Sequence, residues 1–396
     1  MTVETITLGC RLNFAEAQTI ARTAPAGEDW IVVNSCAVTN EAVRQTRQAI
    51  RHEHRRRPSA NILVTGCAAE LDANAFKAMS EVSRVVGNMS KLSAFAANDV
   101  MAPAPAALMH KVKSFVAIQT GCDHRCTFCS IWQARGPSVS LPFQAIRDAV
   151  ARELDRGAKE VILTGVDITD YACPERSRRE GGLGSLCQRL LAAEPRLHRL
   201  RLSSLDSIEI DEALFELIAG EPLLMPHFHL SLQAGDDLVL KRMKRRHSRA
   251  DAVRTVARIK AARSDASIGA DLIAGFPTET EDMALNSSKL LDDCDIVAAH
   301  IFPFSPRPNT PAARMRQVRH EDVKARASRL REAAAERRSR WLDSLIGTVQ
   351  PVLIEGHGTG HSDNFAPIRI EGAVRGESRS ARITRRDSDH LGAVWA

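Results

Sequence analysis

The stretch Cys122-Asp-His-Arg-Cys126-Thr-Phe-Cys129 sets three thiols in one tight loop, spaced C-x3-C-x2-C, directly after the apolar run from Ser114 to Ile118. Such a loop can hold three corners of a cubane 4Fe-4S cluster and leave the fourth iron open to an exchangeable ligand. Zinc is the competing reading. A structural zinc site takes four protein ligands, and no fourth Cys or His follows at short spacing; His124 lies between two ligands of the same loop and is poorly placed to serve. A catalytic thiol explains the loop less well, because one nucleophile does not need two neighbours of its own kind.

Downstream of the loop the chain alternates strand-like and helix-like text. Strand-like runs lie at Ser114 to Ile118, Val161 to Thr164, Leu200 to Ser203, His227 to Leu232, Ile268 to Ile273 and Ile296 to Phe302, with amphipathic segments such as Phe143 to Leu154 and Ala250 to Ala262 between them. Six β-α units predict a partial (β/α)6 barrel, whose chemistry sits at the carboxyl ends of its strands. Polar residues end those strands: Thr164, Gly165 and Asp167, then Ser203, Gln233 and Asp271, while Gly275 offers a close backbone approach. For Asp271 and Gly275 a structural hydrogen bond or a plain strand-to-helix turn explains the residue as well as a ligand does.

Upstream, the apolar runs Thr5 to Leu8, Trp30 to Val33 and Ile62 to Val64 each stop within a few residues at a cysteine: Cys10, Cys36 and Cys67. In an open parallel sheet the carboxyl ends of strands share one crevice, so these distant cysteines can converge there and hold a second cluster. The fold class is therefore α/β, and four segments are expected. Residues 1–95 form the sheet domain, 96–111 an Ala- and Pro-rich linker, 112–341 the barrel with a trailing arginine-laden helix (Arg316 to Trp341), and 342–396 a small β-barrel built from short alternating runs.

The nine cysteines are an odd number and suit metal chemistry in a reducing compartment better than disulfides. Cys187 and Cys294 read as ordinary buried cysteines and Cys173 as a bystander. No apolar run is long enough to span a membrane and the first ten residues lack a secretory pattern, so a cytoplasmic protein with no membrane partner is expected. The net charge of +6 is modest, but Arg44, Arg47, Arg51 and Arg55 recur at helical spacing. That stripe is either a solvated helix face or a contact for a polyanion such as RNA. The basic run Lys241 to Arg246 divides in the same way, between a solvated loop and a phosphate or carboxylate site.

With its six-unit barrel, the cysteine loop resembles the radical S-adenosylmethionine (SAM) superfamily, in which that cluster reductively cleaves SAM. Three upstream cysteines on an α/β domain and a small terminal β-domain narrow the resemblance to the methylthiotransferase family over essentially the whole chain. That resemblance implies a second 4Fe-4S cluster on Cys10, Cys36 and Cys67, the radical cluster on Cys122, Cys126 and Cys129, and a TRAM-like RNA-binding tail. It also implies that the segment after the second barrel strand takes the methionine amino group, which favours Asp167.

The phrases Asn34-Ser-Cys36-Ala-Val-Thr-Asn-Glu-Ala, Arg135-Gly-Pro-Ser138, Ser231-Leu-Gln-Ala-Gly235 and Phe302-Pro-Phe-Ser-Pro-Arg-Pro308 look like the branch acting on threonylcarbamoyladenosine in tRNA, the MtaB-like branch. The partners implied are the tRNA anticodon stem-loop, an electron donor such as flavodoxin or ferredoxin, and a sulfur source. Alternatives are the same chemistry on isopentenyladenosine or on a ribosomal-protein aspartate, and, more remotely, a non-enzymatic metal-binding RNA protein. Ile131-Trp132-Gln133-Ala134 and Ala234 depart from the family's usual wording near the expected substrate mouth, and Ala172 to Glu180 looks like an inserted surface loop.

Overall fold

The computed structural model describes residues 3–22, 24, 27–88, 90–93, 112–176 and 181–396. The expected linker at 96–111 lies outside the described residues, as does the end of the inserted loop. Strands β1 (Val3–Thr7), β2 (Trp30–Ser35), β3 (Asn61–Gly66) and β4 (Arg84–Val85) form a parallel sheet in that order. Every residue of β2 is buried, because both faces of the sheet are covered. Ile31, Val33, Ile62 and Val64 pack with Ile50 and Phe76, while Val32 and Leu63 pack with Ile20 on the opposite face.

The central domain begins with β5 (Lys113–Ala117). A short antiparallel ribbon, β6 (Gln119–Thr120) with β7 (Val139–Ser140), brackets the cysteine loop. Then come β8 (Glu160–Thr164), β9 (Leu200–Leu202), β10 (His227–Gln233), β11 (Ser267–Ala274) and β12 (Ile296–Pro303). Two parallel three-stranded sheets, β5-β8-β9 and β10-β11-β12, are joined by single bridges at Leu200 with Leu224 and Leu205 with Leu230. The six strands thus follow one another as the β-α rhythm predicts, in a barrel left open between β5 and β12. The helix Arg11–Arg22 of the amino-terminal domain lies along β5, its Phe14 edge-on to Phe115 at 5.3 Å. The helix His320–Ser344 covers β12, burying Val323, Ala327 and Leu330.

The tail is a closed five-stranded barrel of β13 (Val349–Ile354), β14 (Thr359–Ser362), β15 (Pro367–Arg369), β16 (Ser378–Asp387) and β17 (His390–Trp395). Its loop at residues 363–365 reaches under the central barrel. The Phe365 ring stacks between His227 at 4.8 Å and His361 at 4.4 Å, with the Arg201 guanidinium 4.9 Å from its centre. Ser267 Oγ donates to the Asn364 carbonyl and Arg199 pairs with Asp363. Above this plug, Arg201 Nε donates to Glu160 Oε1 at 2.9 Å and Arg199 Nε to Glu160 Oε2 at 3.1 Å.

Candidate active site

Three short strands deliver the amino-terminal cysteines to one rim. Cys10 precedes the helix Arg11–Arg22, Cys36 follows β2, and Cys67 opens the helix Cys67–Leu71 directly after β3. Gly9 has φ +93°, and a Cβ there would stand 2.6 Å from Cys36 Sγ, so only glycine lets the first loop come this close to the second. Asn13 ties the loops together, its Nδ2 donating to the Leu8 carbonyl at 2.8 Å and the Ser35 carbonyl at 3.0 Å. Burial pushes the Cys36 thiol up to about 11, and the neighbouring Cys67 and Cys10 sulfurs push it the same way.

The second trio is held by turns. Cys129 N–H donates to the Cys126 carbonyl at 3.1 Å and Cys122 N–H to the Gly136 carbonyl at 3.1 Å. Thr127 pins the loop to the opposite wall, Oγ1 donating to the Arg242 carbonyl at 2.8 Å. Burial pushes Cys122 up to about 12 and Cys129 to about 11, with the charges of the other loop cysteines adding to both. Cys67 also bears on Cys129, so the two trios face each other across one mouth. Buried thiols that repel one another as thiolates are a donor set that needs a cationic partner, and two trios of soft sulfur fit two iron-sulfur clusters. His124 does not complete the loop trio. Its Nε2 lies 3.1 Å from Asp167 and 3.6 Å from Glu209, and its Nδ1 3.8 Å from Asp206.

Beside Cys122 lies the turn after β8. Gln119 Oε1 accepts from the Val166 and Asp167 N–H groups, each at 3.0 Å, and a Cβ on Gly165 would press on that oxygen at 2.8 Å. Asp167 Oδ1 accepts from Thr169 Oγ1 at 2.7 Å, and burial holds its carboxyl above the usual range. Thr164, Gly165 and Asp167 thus share the mouth with the cysteine loop. Ser203 continues the sheet by donating its N–H to the Leu163 carbonyl at 3.0 Å, and Gln233 ends β10 with φ +67°. Asp271 is occupied: burial opposes its charge, but His229 Nε2 at 2.9 Å and His300 Nδ1 at 3.1 Å hold its carboxyl below the usual range. Gly275, at φ +76°, donates to Glu279 Oε2 at 2.9 Å, and a Cβ would run into Val323. Packing of the long helix is a sufficient reason for that glycine.

Sequence reasoning missed Gln119, Asp206, Glu209 and Arg245. Asp206 stands three residues past a strand end and was open to the argument used for Asp167. Arg245 was hidden in the run Lys241 to Arg246, yet its Nη2 donates to Asp206 at 2.8 Å and to the Ser231 carbonyl at 2.8 Å, and its Nη1 approaches Cys126 Sγ at 3.7 Å. The arginine stripe lies on the helix Asn40–Arg56, with Arg44 paired to Glu41, Arg47 3.9 Å from Asp72 and Arg51 3.8 Å from Glu81. Cys187 and Cys294 are buried, as the sequence suggests.

The radical SAM superfamily profile matches residues 116–291, and that of the uncharacterized protein family UPF0004 matches residues 2–87. The threonylcarbamoyladenosine tRNA methylthiotransferase MtaB of Rickettsia prowazekii is 41% identical, over 93% of this chain and 91% of its own length. The chain belongs to the radical SAM methylthiotransferase family. This methylthiotransferase is also 30% identical to the MtaB of Thermotoga maritima, over 96% of this chain and 94% of that one. It is 32% identical to the tRNA-2-methylthio-N(6)-dimethylallyladenosine synthase of Erythrobacter litoralis, over 88% and 85%. Among solved structures, the radical SAM methyltransferase TsrM from Kitasatospora setae superposes with a TM-score of 0.54 at 14% identity, covering 79% of this chain and 77% of that one. At that identity the likeness is one of fold. The methylthiotransferase uses SAM and two 4Fe-4S clusters, and among the described residues no helix is long and apolar enough to cross a membrane.

Proposed function

We propose that this enzyme adds a methylthio group to carbon-2 of threonylcarbamoyladenosine, next to the anticodon of tRNA. The observation carrying the reading is the pair of cysteine trios at one mouth, with Cys67 bearing on Cys129. Bound there, the clusters and SAM supply the hydrogen-abstracting radical and the sulfur to be transferred. The protein's own residues do the positioning.

Cys122, Cys126 and Cys129 hold the cluster that meets SAM, and Cys10, Cys36 and Cys67 hold the sulfur-bearing one. Asp167, fixed by Gln119 and Thr169, receives the methionine ammonium, with Thr164 and Gly165 shaping the turn. Ser203, Gln233, Asp271 and Gly275 line the rest of the cofactor's path. Arg245 sets a positive charge against Cys126. Work in the cytoplasm, an electron donor such as flavodoxin or ferredoxin and a separate sulfur source complete the reading.

The choice of nucleoside follows the Rickettsia relative at 41% identity; the dimethylallyladenosine synthase at 32% supports the second reading, in which isopentenyladenosine is the substrate. The test is to give the reconstituted enzyme tRNA bearing each nucleoside, with SAM and reductant, and analyse digests by mass spectrometry. Methylthio product on threonylcarbamoyladenosine is expected. Product on isopentenyladenosine alone would replace this reading by the second.

A further inference from the structure

A buried guanidinium is costly unless an anion meets it. Among the described residues Arg135, Arg199, Arg201 and Arg307 are the arginines under 9% exposed. Arg135 has Glu16 at 2.8 Å, and Arg199 and Arg201 share Glu160. Arg307 is the exception. Only 7% exposed, it has no carboxylate partner among the described residues, its Nη1 donates to Asn40 Oδ1, and its Nε is buried with no acceptor.

Its place in the fold explains where the missing anion comes from. Arg307 sits in the segment that leaves β12 and crosses to the amino-terminal domain, where the Asn40 N–H donates to Ser305 Oγ and Asn40 Nδ2 to the Pro306 carbonyl, both at 3.3 Å. Gln133 Nε2 donates to the Asn309 carbonyl of the same segment at 3.3 Å. On the neighbouring position of that helix, Trp132 Nε1 is another buried donor without an acceptor. The Arg307 guanidinium and the Cys36 sulfur are electrostatic neighbours, so the cation stands beside the trio assigned to sulfur delivery.

Threonylcarbamoyladenosine carries on its exocyclic nitrogen a threonine linked through a carbonyl, with its carboxylate free. Isopentenyladenosine carries a hydrocarbon at that nitrogen. The substituted carbon and carbon-2 belong to the same six-membered ring, so a base presented to the Cys36 side brings its substituent into this neighbourhood. Resting on the substrate reading above, we infer that Arg307 is the specificity residue of the site, taking the carboxylate of the threonylcarbamoyl group. A carboxylate completes the pairing the fold leaves open. A hydrocarbon leaves the buried donor unpaired, which is how a polar site rejects an apolar analogue.

The test is binding to the reconstituted, unreduced holoenzyme of anticodon stem-loops bearing threonylcarbamoyladenosine, its methyl ester, or plain adenosine. The acid is expected to bind about tenfold or more tighter than the ester, the scale of a charge-assisted hydrogen bond. Arg307→Gln should abolish that preference while leaving ester affinity and iron content unchanged, and Arg307→Lys should retain part of it. Equal affinity of the wild-type enzyme for acid and ester overturns the inference, with no variant needed. So does an Arg307→Gln protein that weakens acid and ester alike or that loses iron, since the guanidinium then serves the fold or the cluster. If the wild type does not prefer the threonylcarbamoylated stem-loop to plain adenosine, it is the substrate reading that fails.

Discussion

Cys126 and Cys36 are both buried thiols on loops that follow strands, yet their neighbours differ. Cys126 has the Arg245 guanidinium at 3.7 Å and shares its loop with Cys122, which lies beside Asp167. Cys36 has Gly9 and Val38 around it, and Arg307 as the cation on its far side. Removing either should cost about four of about eight irons per chain. The outcomes should then separate: Cys126→Ala abolishes reductive cleavage of SAM, whereas Cys36→Ala retains cleavage and loses methylthio product. Both are read by mass spectrometry of 5′-deoxyadenosine and digested tRNA. A Cys36→Ala enzyme that still makes product at the normal rate defeats the assignment.

At the scale of elements, Glu160 at the start of β8 binds three strands into one floor, meeting Arg199 and Arg201 beside β9 and Lys113 of β5 at 3.4 Å. Burial alone would raise its carboxyl, but Arg201, Lys113 and Arg199 together hold it below the usual range. The folded state therefore gives up this proton less readily to acid titration than it would if neutral Glu were favoured: as pH falls, the unfolded chain binds the proton first. The stabilisation is complete above the ordinary glutamate value of 4.5 and is lost as pH drops below it toward the folded value. Glu160→Gln should cost about 3–5 kcal/mol at neutral pH, since it leaves buried guanidiniums unpaired. Thermal melts from pH 3 to 7 would show it as a lower Tm and a flatter acid limb, at roughly those pH values; an unchanged melt would remove Glu160 from the floor's energetics.

The elements themselves were largely legible. Val32, Val33, Ile162 and Leu163 advertise buried strands because parallel strands covered on both faces need continuous apolar runs. In the tail, β14 and β17 were missed, since Thr-Gly-His-Ser and His-Leu-Gly-Ala-Val-Trp are weakened by glycine and histidine and acquire their pairing only when the barrel closes. The six cysteines could be read because their spacing and their strand-end positions are local facts. Gln119 holding the Asp167 turn, and Arg245 turning inward from a basic run, depend on contacts across the barrel that no short window contains.

For the whole molecule, the decisive contact is the tail loop beneath the central barrel. Phe365 lies between two imidazoles with two cations on its ring, Arg201 and Lys113, each 4.9 Å from its centre. Phe365→Ala should weaken the docking of the tail by roughly 2–4 kcal/mol. Proteolysis ahead of β13 should accelerate and tRNA affinity should fall, with SAM cleavage retained. Loss of SAM cleavage at wild-type iron content would instead mean that the plug shapes the cofactor pocket itself.

The plug also has a consequence for the chain as it is made. All six strands of the central barrel have been synthesised by Pro303, yet Phe365 and Asp363 follow only after the long helix and two strands of the tail. At ordinary rates of synthesis that interval lasts several seconds. Through it the arginines of β9 and the loop before it face an open floor, with Glu160 but without the aspartate and the aromatic ring that finally cover them. The catalytic domain therefore matures last at its base, and a nascent chain halted anywhere short of Phe365 should be captured by chaperones rather than released as a working barrel.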